Sequence, residues 1–176
     1  DRPRLLEAAV LCNDAVLRDG DLVGDPTEGA LVILAADEGV DVEACRRDRT
    51  RRDEVPFDSA TKVMVTVHDR TDGAPGRIAY VKGAPDVLLR RSTTVIDHDG
   101  AMAPIDLHRA EILAHNDRLA GRGLRVLAVA QREFTSDTWA EFESSAATTI
   151  DLVDDLTLLA LAGIEKSRTI RELKKV

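Results

Sequence analysis

An aromatic residue near a predicted strand is the first candidate for ligand chemistry in this chain. The sequence contains three Phe, one Tyr and one Trp, and Phe57 follows Pro56 among turn-forming residues just ahead of a strand beginning at Val63. A flat ring in that setting can stack on a purine, worth roughly 1–3 kcal/mol by analogy with base–aromatic stacking. The alternative is a core residue that anchors the strand entrance, and spacing alone favours that alternative.

Two lysines at strand ends are the second candidate. Lys62 and Lys82 each lie at the end of a predicted strand, and those two strands are expected to pair as a hairpin. A lysine there usually belongs to a solvated strand end, but two ammonium groups near one aromatic ring would suit the phosphates of a nucleotide. Gly83 would let the backbone approach a ligand closely, although Gly83-Ala84-Pro85 is also typical of a helix entrance.

A carboxylate and an arginine complete the candidates. Glu28 lies three residues after Asp25, which is the spacing of a capping box and needs no ligand. Arg125 interrupts the apolar stretch 123–130. A single charge in a strand is either an edge-strand device or a functional cation, and the pattern alone leaves both open.

Caps and apolar spacing mark the helices that would carry these residues. The stretch Leu5–Leu17 is predicted as one helix. A second helix begins after Asp25, which can cap it, has Pro26 in its first turn, and ends at Gly39. Further helices are predicted at 42–47, 86–91 and 106–120.

Alternating residues and turn clusters predict the strands. The stretch 63–67 alternates Val with other side chains, and Ile78–Lys82 would run back beside it after a turn cluster at 71–76. A second hairpin is predicted around His98-Asp99-Gly100. The last strands are predicted at 124–130 and 157–164. Consecutive hairpins with interspersed helices indicate an α+β fold with a mainly antiparallel sheet.

Composition excludes several function classes. The chain has 176 residues, a formal net charge of −8 and 44% hydrophobic residues, which suit one domain with a real core. The acidic balance argues against nucleic-acid binding. No apolar run approaches the roughly 18 residues of a transmembrane helix. Cys12 and Cys45 have no metal-ligand spacing and are expected to be free thiols in a reducing cytosol.

Three motifs follow one another along the chain: Asp25-Pro26-Thr27-Glu28-Gly29-Ala30-Leu31, Pro56-Phe57-Asp58-Ser59-Ala60-Thr61-Lys62-Val63-Met64 and Lys82-Gly83-Ala84-Pro85-Asp86. Together they resemble the nucleotide-binding (N) domain of P-type cation-transporting ATPases, on the calcium and sodium–potassium pump branch and of bacterial type. The resemblance extends from Leu5 to about Leu161. It implies the N-domain fold, with a mainly antiparallel twisted β-sheet flanked by helices. Residues 1–164 would form one nucleotide-binding domain, and 165–176 a divergent or non-native tail with no assigned function.

The resemblance names ATP as the ligand and gives several candidates a role at its adenosine end. It implies that Phe57 stacks on adenine. Lys82, followed by Gly83, would line the adenosine pocket. Lys62 would also lie at the nucleotide.

The remaining candidates gain roles from the same resemblance. Glu28, helped by Thr27, would face the amino group of adenine. Arg125 would lie near the β-phosphate. Ser59 stands where many animal calcium pumps carry an arginine, so one phosphate contact would be absent.

Missing motifs limit the chemistry of this chain. The phosphate-accepting Asp-Lys-Thr-Gly-Thr-Leu-Thr motif of these pumps does not occur, nor does a Gly-x-x-x-x-Gly-Lys-Ser/Thr loop. The resemblance therefore implies a domain that holds the adenosine end of ATP and delivers the γ-phosphate to an aspartate in a separate phosphorylation domain. The ligand would be Mg-ATP in the full pump, and the chain alone is not expected to turn over.

The resemblance also implies the setting of the domain. Its partners would be the phosphorylation and actuator domains of the parent pump, with no direct membrane contact, and it is expected to be a monomer. It would be a soluble cytoplasmic domain of an integral plasma-membrane protein. The alternative is a pump-derived interaction or regulatory domain that no longer binds nucleotide. A free-standing phosphotransferase or hydrolase is a third possibility, but no carboxylate pair stands out to support it.

Overall fold

A computed structural model describes residues 2–18, 21–70, 73–97, 99–165 and 170–175. In chain order the elements are α1 (Arg2–Leu11), β1 (Val16–Arg18), β2 (Asp21–Val23), α2 (Pro26–Asp37), α3 (Val42–Asp48), β3 (Arg51–Asp58), β4 (Val63–Asp69), β5 (Gly76–Gly83), α4 (Pro85–Arg91), β6 (Ser92–Ile96), β7 (Met102–Pro104), a 3-10 turn (Ile105–Leu107), α5 (Arg109–Gly121), β8 (Arg125–Thr135), α6 (Ser136–Ser144), a second 3-10 turn (Thr149–Leu152), β9 (Leu156–Ile164) and β10 (Ile170–Lys175).

One large sheet organises the molecule, in the order β3-β4-β5-β8-β9-β6-β7, with β10 also paired to β9. All of its pairings are antiparallel except that of β6 with β9. Strands β6 and β10 share one side of β9, since Ser92 of β6 lies opposite Leu156 and Lys175 of β10 lies opposite Ala160. The expected α+β class with a mainly antiparallel sheet is confirmed. The two expected hairpins, β4–β5 and β6–β7, both form.

The two faces of β4 contact two different apolar cores. The alternation of its residues therefore does not divide a core face from a solvent face. Val63, Val65 and Val67 belong to a cluster that includes residues of α4 and α5. Met64 belongs to the opposite cluster, which includes residues of α1, α2 and α3. Helices thus cover both faces of the sheet, and every residue of β4 from Val63 to His68 is buried.

The first predicted helix is shorter than expected. Helix α1 ends at Leu11, and Leu17 lies in β1, which pairs with β2. The Asn13 side chain accepts a hydrogen bond from the Ala15 N–H and donates one to the Ala9 carbonyl oxygen. Such local side-chain bonds compete with helix continuation, so the prediction of one helix over Leu5–Leu17 was wrong in its second half.

Helix α5 begins later than predicted. The stretch 106–120 begins in the 3-10 turn, in which the His108 N–H bonds to the Ile105 carbonyl oxygen, and α5 starts only at Arg109.

No helix within the described ranges has the length and apolar character needed to cross a bilayer.

The stretch before β4 was not recognised as a strand. Phe57 lies within β3, not in a turn ahead of β4, and β3 is the outermost strand on its side of the described sheet. Its charged residues and Pro56 are compatible with an edge position. The other unpredicted elements are β1, β2, α6, the second 3-10 turn and β10. Residues 71 and 72 of the first predicted turn, His98 of the second, and 166–169 and 176 of the predicted tail lie outside the described residues.

Candidate functional site

The structure brings all seven sequence-predicted site residues to one cavity of about 430 Å³. We call it the Phe57 cavity; its lining residues are Asp25, Thr27, Glu28, Phe57, Lys62, Lys82, Gly83, Ala84, Arg125, Val126 and Leu127. They come from the first turn of α2, the end of β3, the β3–β4 turn, the end of β5 and the start of β8. The cavity therefore depends on strands that are far apart in the sequence.

Phe57 presents its ring to solvent at this cavity. The residue is 55% exposed, so the interpretation as a core anchor is wrong. A single exposed apolar side chain is ordinary by itself, but this ring also lines a cavity together with charged side chains, which suits a ligand site. The ring is therefore available for stacking.

Lys82, which is buried, and Glu28, which is half-buried, form an ion pair in the cavity wall. The Nζ of Lys82 lies 2.6 Å from Oε1 of Glu28, and Lys82 is 4% exposed. Lys82 is thus not the solvated strand end that its position suggested. A buried charge is tolerated when its partner lies close enough to offset the lost hydration. Each residue therefore holds the other in a fixed position.

Asp25, not Glu28, supplies the side-chain cap of α2. Its Oδ1 accepts hydrogen bonds from the backbone N–H groups of Thr27 and Glu28 at 2.8 and 3.3 Å. Burial raises the pKa of Asp25, but these hydrogen bonds outweigh that effect and leave the pKa below its usual value. The carboxylate of Glu28 instead accepts a bond from the Asp14 N–H at 2.9 Å. The capping-box explanation of Glu28 is therefore wrong. Glu28 is instead part of the cavity lining.

Lys62 is held by its backbone next to Gly83. It has a positive φ of 60°, and its N–H donates to the Asp58 carbonyl oxygen at 2.7 Å. Its own carbonyl oxygen accepts from the Ala84 N–H at 3.0 Å. The second and third sequence motifs are thus joined through main-chain contacts, and Lys62 makes no ion pair with any described residue.

Arg125 links the β8 and α2 walls. Its Nη1 donates to the Thr27 hydroxyl oxygen at 2.9 Å. Strand β8 lies between β5 and β9 in the sheet, so the edge-strand explanation of this arginine is wrong. Arg125 is exposed at the first residue of β8. The guanidinium is therefore accessible to a ligand in the cavity.

A larger cavity of about 680 Å³ lies at the opposite end of β8. It contains none of the predicted residues. Its one lining cation, Arg132, lies over the Phe134 ring and donates to the Asp154 carbonyl oxygen. The Phe57 cavity is the stronger candidate because it combines an exposed ring with Lys62, Arg125 and the Glu28 carboxylate.

Sequence reasoning missed part of the site. The cavity lining also includes Asp25, Ala84, Val126 and Leu127. The loop at Asn13 and Asp14 forms hydrogen bonds to Glu28 of the lining. Asp25 and Ala84 belong to the quoted motifs and could have been found there. The polar pair Asn13-Asp14 directly after an apolar helix was the available signal for the supporting loop.

Comparison with known proteins identifies a family over nearly the whole chain. Residues 2–167 match the family described as P-type ATPase, cytoplasmic domain N. The "Cation-transporting ATPase pma1" of Synechocystis sp. is 40% identical over 131 residues, which are 72% of this chain and 14% of that protein. The "Calcium-transporting ATPase" of Bacillus subtilis is 37% identical over 166 residues, 92% of this chain and 18% of that protein. The human "Calcium-transporting ATPase type 2C member 1" is 37% identical over 129 residues, 72% of this chain and 14% of that protein. The chain therefore spans less than a fifth of the length of these relatives.

Proposed function

This chain belongs to the P-type ATPase family as its cytoplasmic N domain, and from that membership we propose that it binds ATP in the Phe57 cavity. It would hold the adenosine end of the nucleotide. The γ-phosphate would be delivered to an aspartate in a separate phosphorylation domain of the parent pump.

The convergence of seven predicted residues on one cavity carries this proposal. Phe57 offers an exposed ring for base stacking. The Glu28 carboxylate can accept a hydrogen bond from an amino group. Lys62 and Arg125 offer cationic donors to phosphate oxygens. The volume of about 430 Å³ lies in the range of small-molecule sites.

The phosphoryl-transfer step belongs to the parent protein in this proposal. Phosphoryl transfer depends mainly on positioning and charge stabilisation. The Asp-Lys-Thr-Gly-Thr-Leu-Thr string is absent from this chain, so the accepting aspartate would come from the phosphorylation domain. We expect Mg-ATP as the ligand in the full pump and no turnover by the chain alone.

The relatives support a cation pump as the parent, and two of them are named as calcium-transporting. We propose that the N domain is carried on an integral membrane protein and works with its phosphorylation and actuator domains. Long-range electrostatics opposes ATP capture, because the formal net charge of this chain is −8 and ATP is an anion. The few cations in the cavity must therefore act at short range.

An NMR titration of the labelled 176-residue chain with ATP, with and without magnesium, tests the proposal. We expect saturable shifts at Glu28, Phe57, Lys62, Lys82 and Arg125. Affinity should be weak, with Kd on the order of 0.1–1 mM, because the triphosphate is left largely in water. A folded spectrum without shifts at millimolar ATP would contradict nucleotide binding and support the interaction-domain alternative.

A further inference from the structure

Asn13 is a buried polar residue that none of the sequence motifs includes. It is 1% exposed. Its Nδ2 donates to the carbonyl oxygens of Ala9 at 3.0 Å and of Glu28 at 2.9 Å. Its Oδ1 accepts from the Ala15 N–H at 2.9 Å. One side chain thus connects the end of α1, the loop after it and the first turn of α2.

The next residue holds the Glu28 carboxylate itself. The Asp14 N–H donates to Oε2 of Glu28 at 2.9 Å, while Lys82 donates to Oε1 at 2.6 Å. Each carboxylate oxygen therefore accepts a hydrogen bond from a different segment, one from the loop after α1 and one from the end of β5. Rotation of the carboxylate would break one of the two contacts.

Arg51 of β3 fixes the same loop from the other side. Its Nη2 donates to the carbonyl oxygens of Leu11 at 3.1 Å and of Asn13 at 2.9 Å. Its Nη1 donates to Oδ1 of Asp14 at 2.7 Å. Strand β3 also carries Phe57, so the support of Glu28 and the exposed ring are built on one strand.

We propose that Asn13 is a positioning residue for base recognition. It acts through the Asp14 N–H and the Glu28 backbone, which together direct the Glu28 carboxylate towards the amino group of adenine. The proposal rests on the proposed function, that is, on ATP binding in the Phe57 cavity. An ionised carboxylate accepts hydrogen bonds and donates none. Adenine presents an amino donor at its C6 position, whereas a 6-oxo purine presents an acceptor there. A fixed carboxylate therefore favours adenine and repels a 6-oxo base.

Paired titrations with ATP and ITP test the proposal, because ITP replaces the amino group by a carbonyl oxygen. The variant Asn13→Asp keeps the size of the side chain and the acceptor for Ala15. It turns the donor into an acceptor that faces the Ala9 and Glu28 carbonyl oxygens. Asp14→Ala is the matched control, since it removes the contact with Arg51 but keeps the N–H that bonds to Glu28.

We expect the parent chain to bind ATP about tenfold more tightly than ITP, the size of one hydrogen bond to a charged group. Asn13→Asp should weaken ATP binding to about the level of ITP and change ITP binding by less than about twofold. Asp14→Ala should keep the preference for ATP. If Asn13→Asp fails to fold, Asn13→Ser is measured instead, because its shorter side chain cannot reach both carbonyl oxygens.

Each other result has a defined meaning. Equal loss of ATP and ITP affinity in a folded Asn13 variant would show a general structural role and overturn the positioning proposal. An unchanged preference in that variant would also overturn it. A parent chain that binds ATP and ITP equally would overturn it while leaving ATP binding in place. A parent chain that binds neither would instead overturn the proposed function.

Discussion

A β-carbon on Gly83 would lie 2.3 Å from the carbonyl oxygen of Lys62. The two residues come from the end of β5 and the turn before β4, and each contributes to the Phe57 cavity. Their close approach is possible only because residue 83 has no side chain. The main-chain path of the Lys62 turn therefore depends on glycine at position 83.

Gly83→Ala should displace the Lys62 turn. We expect a loss of about 1–3 kcal/mol in the free energy of unfolding, typical of overpacking, together with weaker ATP binding. Gly121→Ala is the control, since a β-carbon there meets nothing within 4 Å and lies at the end of a helix, where Ala is favoured. Urea unfolding and ATP titration of both variants provide the measurement. Parent-like stability and binding for Gly83→Ala would contradict the steric argument.

Phe57→Ala should remove stacking without damaging the core. The ring is 55% exposed, so we expect little change in the unfolding midpoint. ATP affinity should fall by roughly 1–3 kcal/mol, which is about 5- to 150-fold. Phe57→Trp keeps an aromatic face and should retain most of the affinity. Unchanged ATP binding by a folded Phe57→Ala chain would exclude the ring from the site.

Lys82→Met should destabilise the fold by about 1–3 kcal/mol, because it leaves the half-buried Glu28 carboxylate without its ammonium partner. The double variant Lys82→Met/Glu28→Gln removes both charges and should recover most of that stability. ATP binding should be weaker than in the parent in both variants, since the single variant lacks the Lys82 donor and the double variant also lacks the Glu28 carboxylate. Chemical unfolding and NMR titration separate the two effects. A double variant as unstable as the single one would contradict a coupled pair.

Acidification should destabilise the protein through His68. Burial lowers the pKa of His68 to about 4, against 6.5 for the free side chain, despite a hydrogen bond to the Arg49 carbonyl oxygen that favours the charged form. Between these values the unfolded chain binds a proton that the folded chain does not, so stability falls as pH decreases from 6.5 towards 4. We expect a loss of about 2 kcal/mol between pH 7 and pH 5.

Unfolding of the parent and of His68→Gln at pH 7, 6 and 5 measures this contribution. Gln does not titrate in this range, so the decrease should be smaller in the variant by about the same 2 kcal/mol. Equal pH dependence of the two chains would assign the acid sensitivity to other groups.

Short-range patterns in the sequence were sufficient for several elements. The cap at Asp25, Pro26 in the first turn of α2 and the β4–β5 hairpin were predicted because each depends on neighbours within a turn or on one alternating stretch. The charged strand β3 escaped prediction, since edge strands lack the apolar alternation that marks a buried strand.

The candidate residues were likewise available from the motifs, but their states were not. Residue types offered Glu28, Phe57, Lys62, Lys82 and Arg125 as candidates, and the resemblance of the three motifs to a known family favoured a ligand role for them. Only the tertiary structure decided that Phe57 is exposed and that Lys82 is buried against Glu28. The exposure of a side chain depends on what the rest of the chain packs against it, and neighbouring residues do not encode that.

The sequence by itself thus determined which residue types were available and where locally specified elements lie, such as the capped helix α2 and the β4–β5 hairpin. The tertiary structure decided which of them meet: Glu28 and Lys82 are 54 positions apart, and the Asn13 loop reaches α2 only because α1 packs on the sheet face beside it. The physical reason is that caps and turns are set by bonds between near neighbours, whereas these contacts follow from burying the apolar faces of all elements at once.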